Sequence, residues 1–468
     1  MNTPKALLTA LLVPLGATLA VAPAASATTP PAPPATSASA VAAASVGPEE
    51  AAAAALRSPE AALGRAAHPL RTTDPRGGLA DLRPFGRMVG DARVVGLGEA
   101  THSSHEFLTV KHRVLRYLVE EKGFRAFALE APWSTGLRLD AYLLRGEGDL
   151  KRIMDEEFQG TYRWWNNAEY RDLLRWMRAY NVEHPDDPVR FVGDDGGFAG
   201  AELYDEVSAY AAAARPELAP RLTELYRGLR PATDAETYVD DYLSKPMAER
   251  RELAERTGRA VDLLKQRPGT DADAHAWAVQ HATAIHQMTT LFAFDWDDPQ
   301  GVAGAMLHRD RIMAENVAWW QQQTGDKIVL AAHNSHIALR TYVPGTYPKV
   351  QGAFLREQLG GGYLSVGLTF GRGSFNAFGH DGGVHRFTVG PAEPGTAEHT
   401  LDRVRHRDFM VDLRNAPAAA RAWLATPHTV KNIGATYPGI ADAPRIRLAQ
   451  AHDVVLHLQQ VEAARLLP

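Results

Sequence analysis

Six short apolar runs, spaced by amphipathic stretches, constrain the fold of this chain more than any other feature. They are Ala92–Gly98 (ARVVGLG), Phe124–Glu130 (FRAFALE), Val189–Asp194 (VRFVGD), Lys327–His333 (KIVLAAH), Gly362–Phe370 (GYLSVGLTF) and His452–Leu458 (HDVVLHL). Little polar alternation interrupts them, as expected of strands buried on both faces in a parallel sheet. Between them, stretches such as Phe107–Glu121 and Ala168–Tyr180 carry helical periodicity. Strand–helix alternation predicts an α/β fold, a central, mostly parallel sheet flanked by helices, with a large helical insertion at about 200–320.

The 468 residues include no Cys, so disulfides and thiolate chemistry are excluded and the fold depends on its core. The net charge of −5, without a long basic run, argues against nucleic acid as a partner. Residues 1–27 read as a secretory signal: Lys5, an apolar stretch, then Ala-Ser-Ala ending at Ala27. A Pro/Ala/Ser-rich linker with a helical end near Pro48–Leu56 follows over 28–70, and 71–468 reads as one catalytic domain. The expectation is a secreted protein with no stable membrane insertion after signal cleavage.

The strand ends carry the chemistry. The first run leads into Glu99 and His102, the second ends at Glu130, the third at Asp194-Asp195, and the fourth at His333 and His336. In open α/β sheets the ligand crevice lies outside the carboxyl ends of the strands, so these residues should converge on one pocket. Ser103-Ser104-His105-Glu106 fits a capping box with Ser103 as N-cap, which gives Glu106 a structural part. On the following helix Lys111 falls in the apolar arc of Phe107, Val114 and Leu118, whereas His105, His112 and Arg116 fall on the opposite, wet face. An ammonium in an apolar stripe needs a partner, and Glu99 and Glu130 are the nearest candidates.

Gly96-Leu97-Gly98 begins like a dinucleotide fingerprint, but Thr101 stands at the third glycine position and the Glu99 carboxylate repels phosphate. No G-x-S-x-G elbow is present, which argues against a serine hydrolase. Three chemistries remain open. A divalent metal would find ligands in Glu99, His102, Glu130, His333 and His336, although their spacing is not H-E-x-x-H. A metal-free hydrolase would use His102 as base, Glu99 or Glu130 to hold its tautomer, and His333, His336 and Lys111 to stabilise charge or protonate the leaving alcohol. A non-catalytic protein would use the same groups to bind a small molecule or haem.

The stretch GLGEATHSSHEFLTVKHRVLRYLVEEKGFRAFALEA resembles the leading motif of the erythromycin esterase family, G-E-x-T-H-G-x-x-E-F followed by K/R and G-F-x-x-x-x-x-E. WWNNAEYRDLLRWMRAYN, VRFVGDD, HRDRIMAENVAWW, VLAAHNSHI and GAFLREQLGGGYLSVGLTFGRGSF follow in the family's order. The resemblance covers about Asp91 to the last strand. It implies an α/β fold with a deep cleft, and hydrolysis of a macrolide lactone ester without a serine nucleophile. It also implies His102 as the general base, with Glu99, Glu130, His333 and His336 completing the site and Lys111 at the K/R position. Ser103 departs from the family glycine. The expected partner is a small-molecule ester or lactone, with no obligatory metal or cofactor; acyl transfer or cyclisation on a related natural product is the variant in which an alcohol replaces water. Trp133 is expected as a cleft wall, and Asp194 and Asp195 near the substrate. Trp164, Trp165, Trp176, Trp319 and Trp320 read as core, Arg309-Asp310 as a helix-start ion pair, and His275, His281 and His286 as ordinary helix residues. The acidic loop Phe294–Gly301 reads as either cleft lining or solvated loop.

Overall fold

The computed structural model describes residues 58–266, 269–437 and 443–468. The signal reading and the tether up to residue 57, with its helical end, lie outside the described residues. A nine-stranded sheet forms the centre. Its strands are β1 (His68–Pro69), β2 (Val94–Leu97), β3 (Phe124–Pro132), β4 (Arg190–Asp195), β5 (Lys327–Ala331), β6 (Tyr363–Phe378), β7 (Val384–Val389), β8 (Phe409–Asp412) and, beyond the small separate pair β9 (His428–Thr429) and β10 (Arg445–Ile446), β11 (Val454–Val461). The spatial order is β1-β8-β11-β6-β2-β5-β3-β4, with β7 alongside β6.

The six apolar runs form the contiguous block β11-β6-β2-β5-β3-β4, parallel throughout. The strands absent from the sequence reading, β1, β7 and β8, pair antiparallel at or near one end. They are short or half-exposed, and β7 (VHRFTV) has only one buried residue, so no apolar run marked them. Residues 58–70, grouped with the linker from sequence, instead form the helix Pro59–Ala66, capped by Ser58, and strand β1. That helix buries Ala62 and Leu63 against Leu401, Val411 and Leu424, which ties the segment to the domain.

Six helices place the site. They are α1 (His105–Lys122) between β2 and β3, α2 (Trp133–Arg145) and α3 (Ala168–Glu183) between β3 and β4, α4 (Ala272–Leu291) and α5 (Pro299–Thr324) before β5, and α6 (Gln351–Leu359) before β6. From β4 to β5 the described regular structure is entirely helical. The two faces of the sheet bury different sets of side chains, as a period of two requires. Val95, Leu97, Phe127, Leu129 and Val329 pack with Val110, Val114 and Leu118 of α1. Val94, Ala126, Ala128, Ile328 and Leu330 pack with Ile285, Val317 and Trp320 of α4 and α5. Each large aliphatic side chain buried this way stabilises by roughly 1.5–3 kcal/mol, so both faces resist movement of the strand ends.

Candidate active site

Strands β2, β5, β3 and β4 lie side by side and parallel, so their carboxyl ends open on one edge of the sheet. Gly98 lets two of these ends meet closely. A Cβ there would stand 2.0 Å from Asn334 Oδ1. Asn334 is fixed between neighbours, donating from Nδ2 to Leu368 O at 2.8 Å and from its backbone N–H to Glu99 O at 2.9 Å. The turn bearing His333 is thereby held beside the one bearing Glu99 and His102.

His102 is buried, with Nδ1 2.8 Å from Glu99 Oε1. An ionised carboxylate accepts only, so this contact puts the ring proton on Nδ1 and leaves Nε2 a lone pair. Lys111 donates from Nζ to the other Glu99 oxygen. Burial alone would push the Glu99 carboxyl up, but the Lys111 ammonium and His102 hold it below its ordinary value. The Trp165 ring stands edge-on to His102, with centroids 5.1 Å apart, and Trp165 Nε1 donates to Glu130 O at 2.8 Å.

His333 faces His102, with ring centroids 5.1 Å apart. Its Nδ1 accepts from Ser335 N at 3.3 Å, which places its proton on Nε2. That Nε2 makes no hydrogen bond among the described residues. Burial, reinforced by His102, depresses the His333 pKa to about 3, so the ring is neutral at ordinary pH. Glu130 accepts the His333 backbone N–H on Oε2 at 3.1 Å and Arg309 Nη2 on Oε1 at 2.9 Å. Burial opposes its charge, yet His336 and Arg309 hold its carboxyl well below the usual range.

His336 takes a different place. Its Nδ1 lies 2.8 Å from Asp310 Oδ1, and its Nε2 lies 3.4 Å from Glu130 Oε1. Burial works against its charge, but Asp310 and Glu130 outweigh it and raise its pKa. Asp195 pairs with Arg309 at 2.6 Å and accepts from Tyr162 Oη at 3.0 Å. Asp194 accepts from Gln351 Nε2 at 2.7 Å, and burial pushes its carboxyl well up. The structure therefore brings Glu99, His102, Lys111, Glu130, His333, His336 and Asp195 into one connected cluster.

Several sequence readings are corrected. Arg309 and Asp310 lie well inside α5, not at a helix start, and project among the site carboxylates and His336. Their signal was the one that exposed Lys111: charges within a predominantly buried helical stretch. No capping box forms, because α1 starts at His105 with Ser104 as N-cap and no side-chain cap bond. Distant segments supply the partners instead: Glu106 accepts from Glu462 N at 2.6 Å, Ser103 O accepts from Ala464 N at 3.1 Å, and Ser103 Oγ accepts from Asn376 Nδ2 of β6 at 3.0 Å. His112 is not on a wet face; it is buried beside Trp176. Trp133 lies apart from the cluster, buried among Trp277, Trp319 and Trp320, with Nε1 donating to His281 Nδ1 at 3.2 Å. In the loop Phe294–Gly301, Asp298 caps α5 through Gly301 N.

The proposed metal ligands do not make a ligand set as placed. Lys111, Arg309 and the backbone N–H of His333 engage the oxygens of Glu99 and Glu130. Among the described residues no group of three or more His, Asp or Glu is arranged to hold a metal ion.

The chain and its fold have counterparts among known proteins. A family model for erythromycin esterase matches residues 119–461, which include Glu130, Asp194, Asp195, Arg309, His333 and His336 and begin beyond Glu99, His102 and Lys111. The chain is 22% identical over 325 residues to the erythromycin esterase type II of Escherichia coli, spanning 64% of this chain and 74% of that one. A Bacillus cereus protein of known structure is 32% identical, with a TM-score of 0.79, and the likeness covers 87% of this chain and 98% of that one. A mutant of the erythromycin esterase EreC in its open conformation shares the α/β fold at 18% identity, TM-score 0.66, over 83% of this chain and 96% of that one.

Proposed function

The chain belongs to the erythromycin esterase family, whose model matches most of its length, and from that premise we propose that it hydrolyses an ester or lactone, macrolide-like in class, with water activated by His102. Family membership gives an esterase-like hydrolase; the mechanism is our reading of the cluster. The observation that carries it is the facing pair of ring nitrogens. His102 Nε2 has a lone pair, because the ring proton sits on Nδ1, which donates to Glu99. His333 Nε2 has a proton and no partner among the described residues.

In this reading His102 Nε2 takes a proton from water as its oxygen attacks the carbonyl carbon. Glu99 steadies the imidazolium that forms, and Lys111 keeps Glu99 ionised. The carbonyl oxygen gathers negative charge and accepts the His333 Nε2–H, a donor held in place before the reaction by Ser335 and Glu130. When the tetrahedral intermediate collapses, the carbon–oxygen ester bond breaks and the leaving alkoxide takes the proton back from His102. The products are a carboxylic acid and an alcohol, joined in one molecule when the substrate is a lactone.

The test is incubation of purified protein with a panel of macrolides, simple lactones and acyclic esters, read by mass spectrometry for a gain of one water. Hydrolysis that is lost in His102→Ala supports the reading. Products that carry an alcohol in place of water would move it to acyl transfer, and an active His102→Ala enzyme would end it.

A further inference from the structure

The segment Lys431–Tyr437 crosses the carboxyl edge of the sheet over His102 and His333. Its backbone is tied to several elements. Ile433 N donates to Ala100 O at 2.8 Å, His102 N donates to Gly434 O at 3.4 Å, and Phe378 N donates to Ala435 O at 2.8 Å. Ser335 Oγ donates to Asn432 Oδ1 at 3.1 Å, and Lys431 Nζ donates to Gly371 O at 2.9 Å. The strap is thus fastened to the turns that carry both histidines.

Gly434 sits at its centre with φ of +59°, a left-handed conformation that favours glycine. A Cβ built on Gly434 would lie 3.8 Å from His333 Nε2 and 3.9 Å from His102 Nε2, and these two nitrogens are its nearest neighbours. Such distances are ordinary van der Waals contact, so a methyl group fits the free protein. It would nevertheless occupy the space in front of both nitrogens, where a water bonded to His102 and an oxygen bonded to His333 must stand.

We infer that Gly434 controls access to the reacting point: its missing side chain keeps open the space that His102 Nε2 and His333 Nε2 share, and its backbone walls that space. The inference rests on the reading of His102 as base, and it adds a residue that bears no chemistry of its own. Its contribution is room, held by a backbone too well anchored to withdraw.

The test compares Gly434→Ala with Gly325→Ala. Gly325, at the end of α5, has φ of +78° and open space around a built Cβ, so alanine there meets the same kind of left-handed strain without reaching the site. Gly434→Ala is expected to lose about 100-fold in kcat/KM on the best ester of the panel, the scale on which small misplacements at a reacting centre act. Gly325→Ala should keep wild-type turnover, with a similar shift in Tm. Carbethoxylation by diethyl pyrocarbonate, mapped by peptide mass, reads access to the rings without a substrate: it should slow at His102 and His333 in Gly434→Ala alone. Wild-type kcat/KM and wild-type carbethoxylation in Gly434→Ala, with His102→Ala inactive, would overturn the inference and leave the base assignment standing. An active His102→Ala enzyme would instead remove the reading beneath it.

Discussion

Two histidine–carboxylate pairs stand in one buried cluster, and they differ in what the second ring nitrogen meets. His102 lies against Glu99 through Nδ1, and its Nε2 looks toward His333 and Gly434. His336 lies against Asp310 through Nδ1, but its Nε2 is 3.4 Å from both Glu130 Oε1 and Arg309 Nη1. In the proposed mechanism a histidine beside a carboxylate thus serves as a base where its far nitrogen is unclaimed, and is a held, charge-favouring group where both nitrogens are claimed. Local sequence cannot separate these roles; the neighbours of the far nitrogen decide.

Removing the carboxylate from the first pair should produce the largest effect. Glu99→Gln keeps the shape but cannot hold the His102 tautomer or balance Lys111, and kcat/KM should fall roughly 10²–10⁴-fold. The double variant Glu99→Gln/Lys111→Met sharpens the point, because it also removes the stranded ammonium. Its Tm should recover relative to Glu99→Gln while turnover stays low, and recovery of both would assign Glu99 a purely structural part.

The Arg309 clamp beside the second pair should answer first in stability. Arg309 is buried between Glu130 and Asp195, so Arg309→Met leaves two carboxylates uncompensated. Breaking a buried pair of this kind costs roughly 3–5 kcal/mol, measurable by urea denaturation. An unfolding midpoint unchanged from wild type would contradict the clamp.

Protonation gives a smaller test of the same contrast. Burial depresses His112, His333 and His452 to about 3 and His281 to about 4, below the 6.5 of an exposed histidine. Below pH 6.5 the unfolded chain binds protons that these folded residues refuse. Their contribution is therefore present above that pH and is lost as pH falls, on the order of 1–2 kcal/mol each by pH 5. His336, with its raised pKa, acts in the opposite sense: its contribution is full below 6.5 and is lost as pH rises through its folded value. Urea midpoints should therefore fall between pH 6.5 and 5, and fall less in His333→Gln; a flat profile would contradict the buried neutral rings.

Much of this was readable in the sequence because it was written in local patterns. The six parallel strands were apolar on both faces, and their polar ends marked the edge where the ionisable cluster gathers. Lys111 stood out as a charge in an apolar stripe, and it does pair with Glu99. Arg309 and Asp310 were missed because their partners, Glu130, Asp195 and His336, come from other elements. Trp133 looked like a cleft wall after Pro132, but three tryptophans from α4 and α5 enclose it. The capping box was mimicked by residues whose partners come from the far C-terminal segment. Gly434 had no local signal, since a glycine that provides space next to distant histidines looks like any loop glycine.

The most direct test of the contrast is kcat/KM for His102→Gln and His336→Gln, measured side by side on the same ester. The contrast predicts a loss of roughly 10²–10⁴-fold for His102→Gln, the range of a general base, and a loss at least tenfold smaller for His336→Gln. Equal losses, or a larger one at His336, would contradict it.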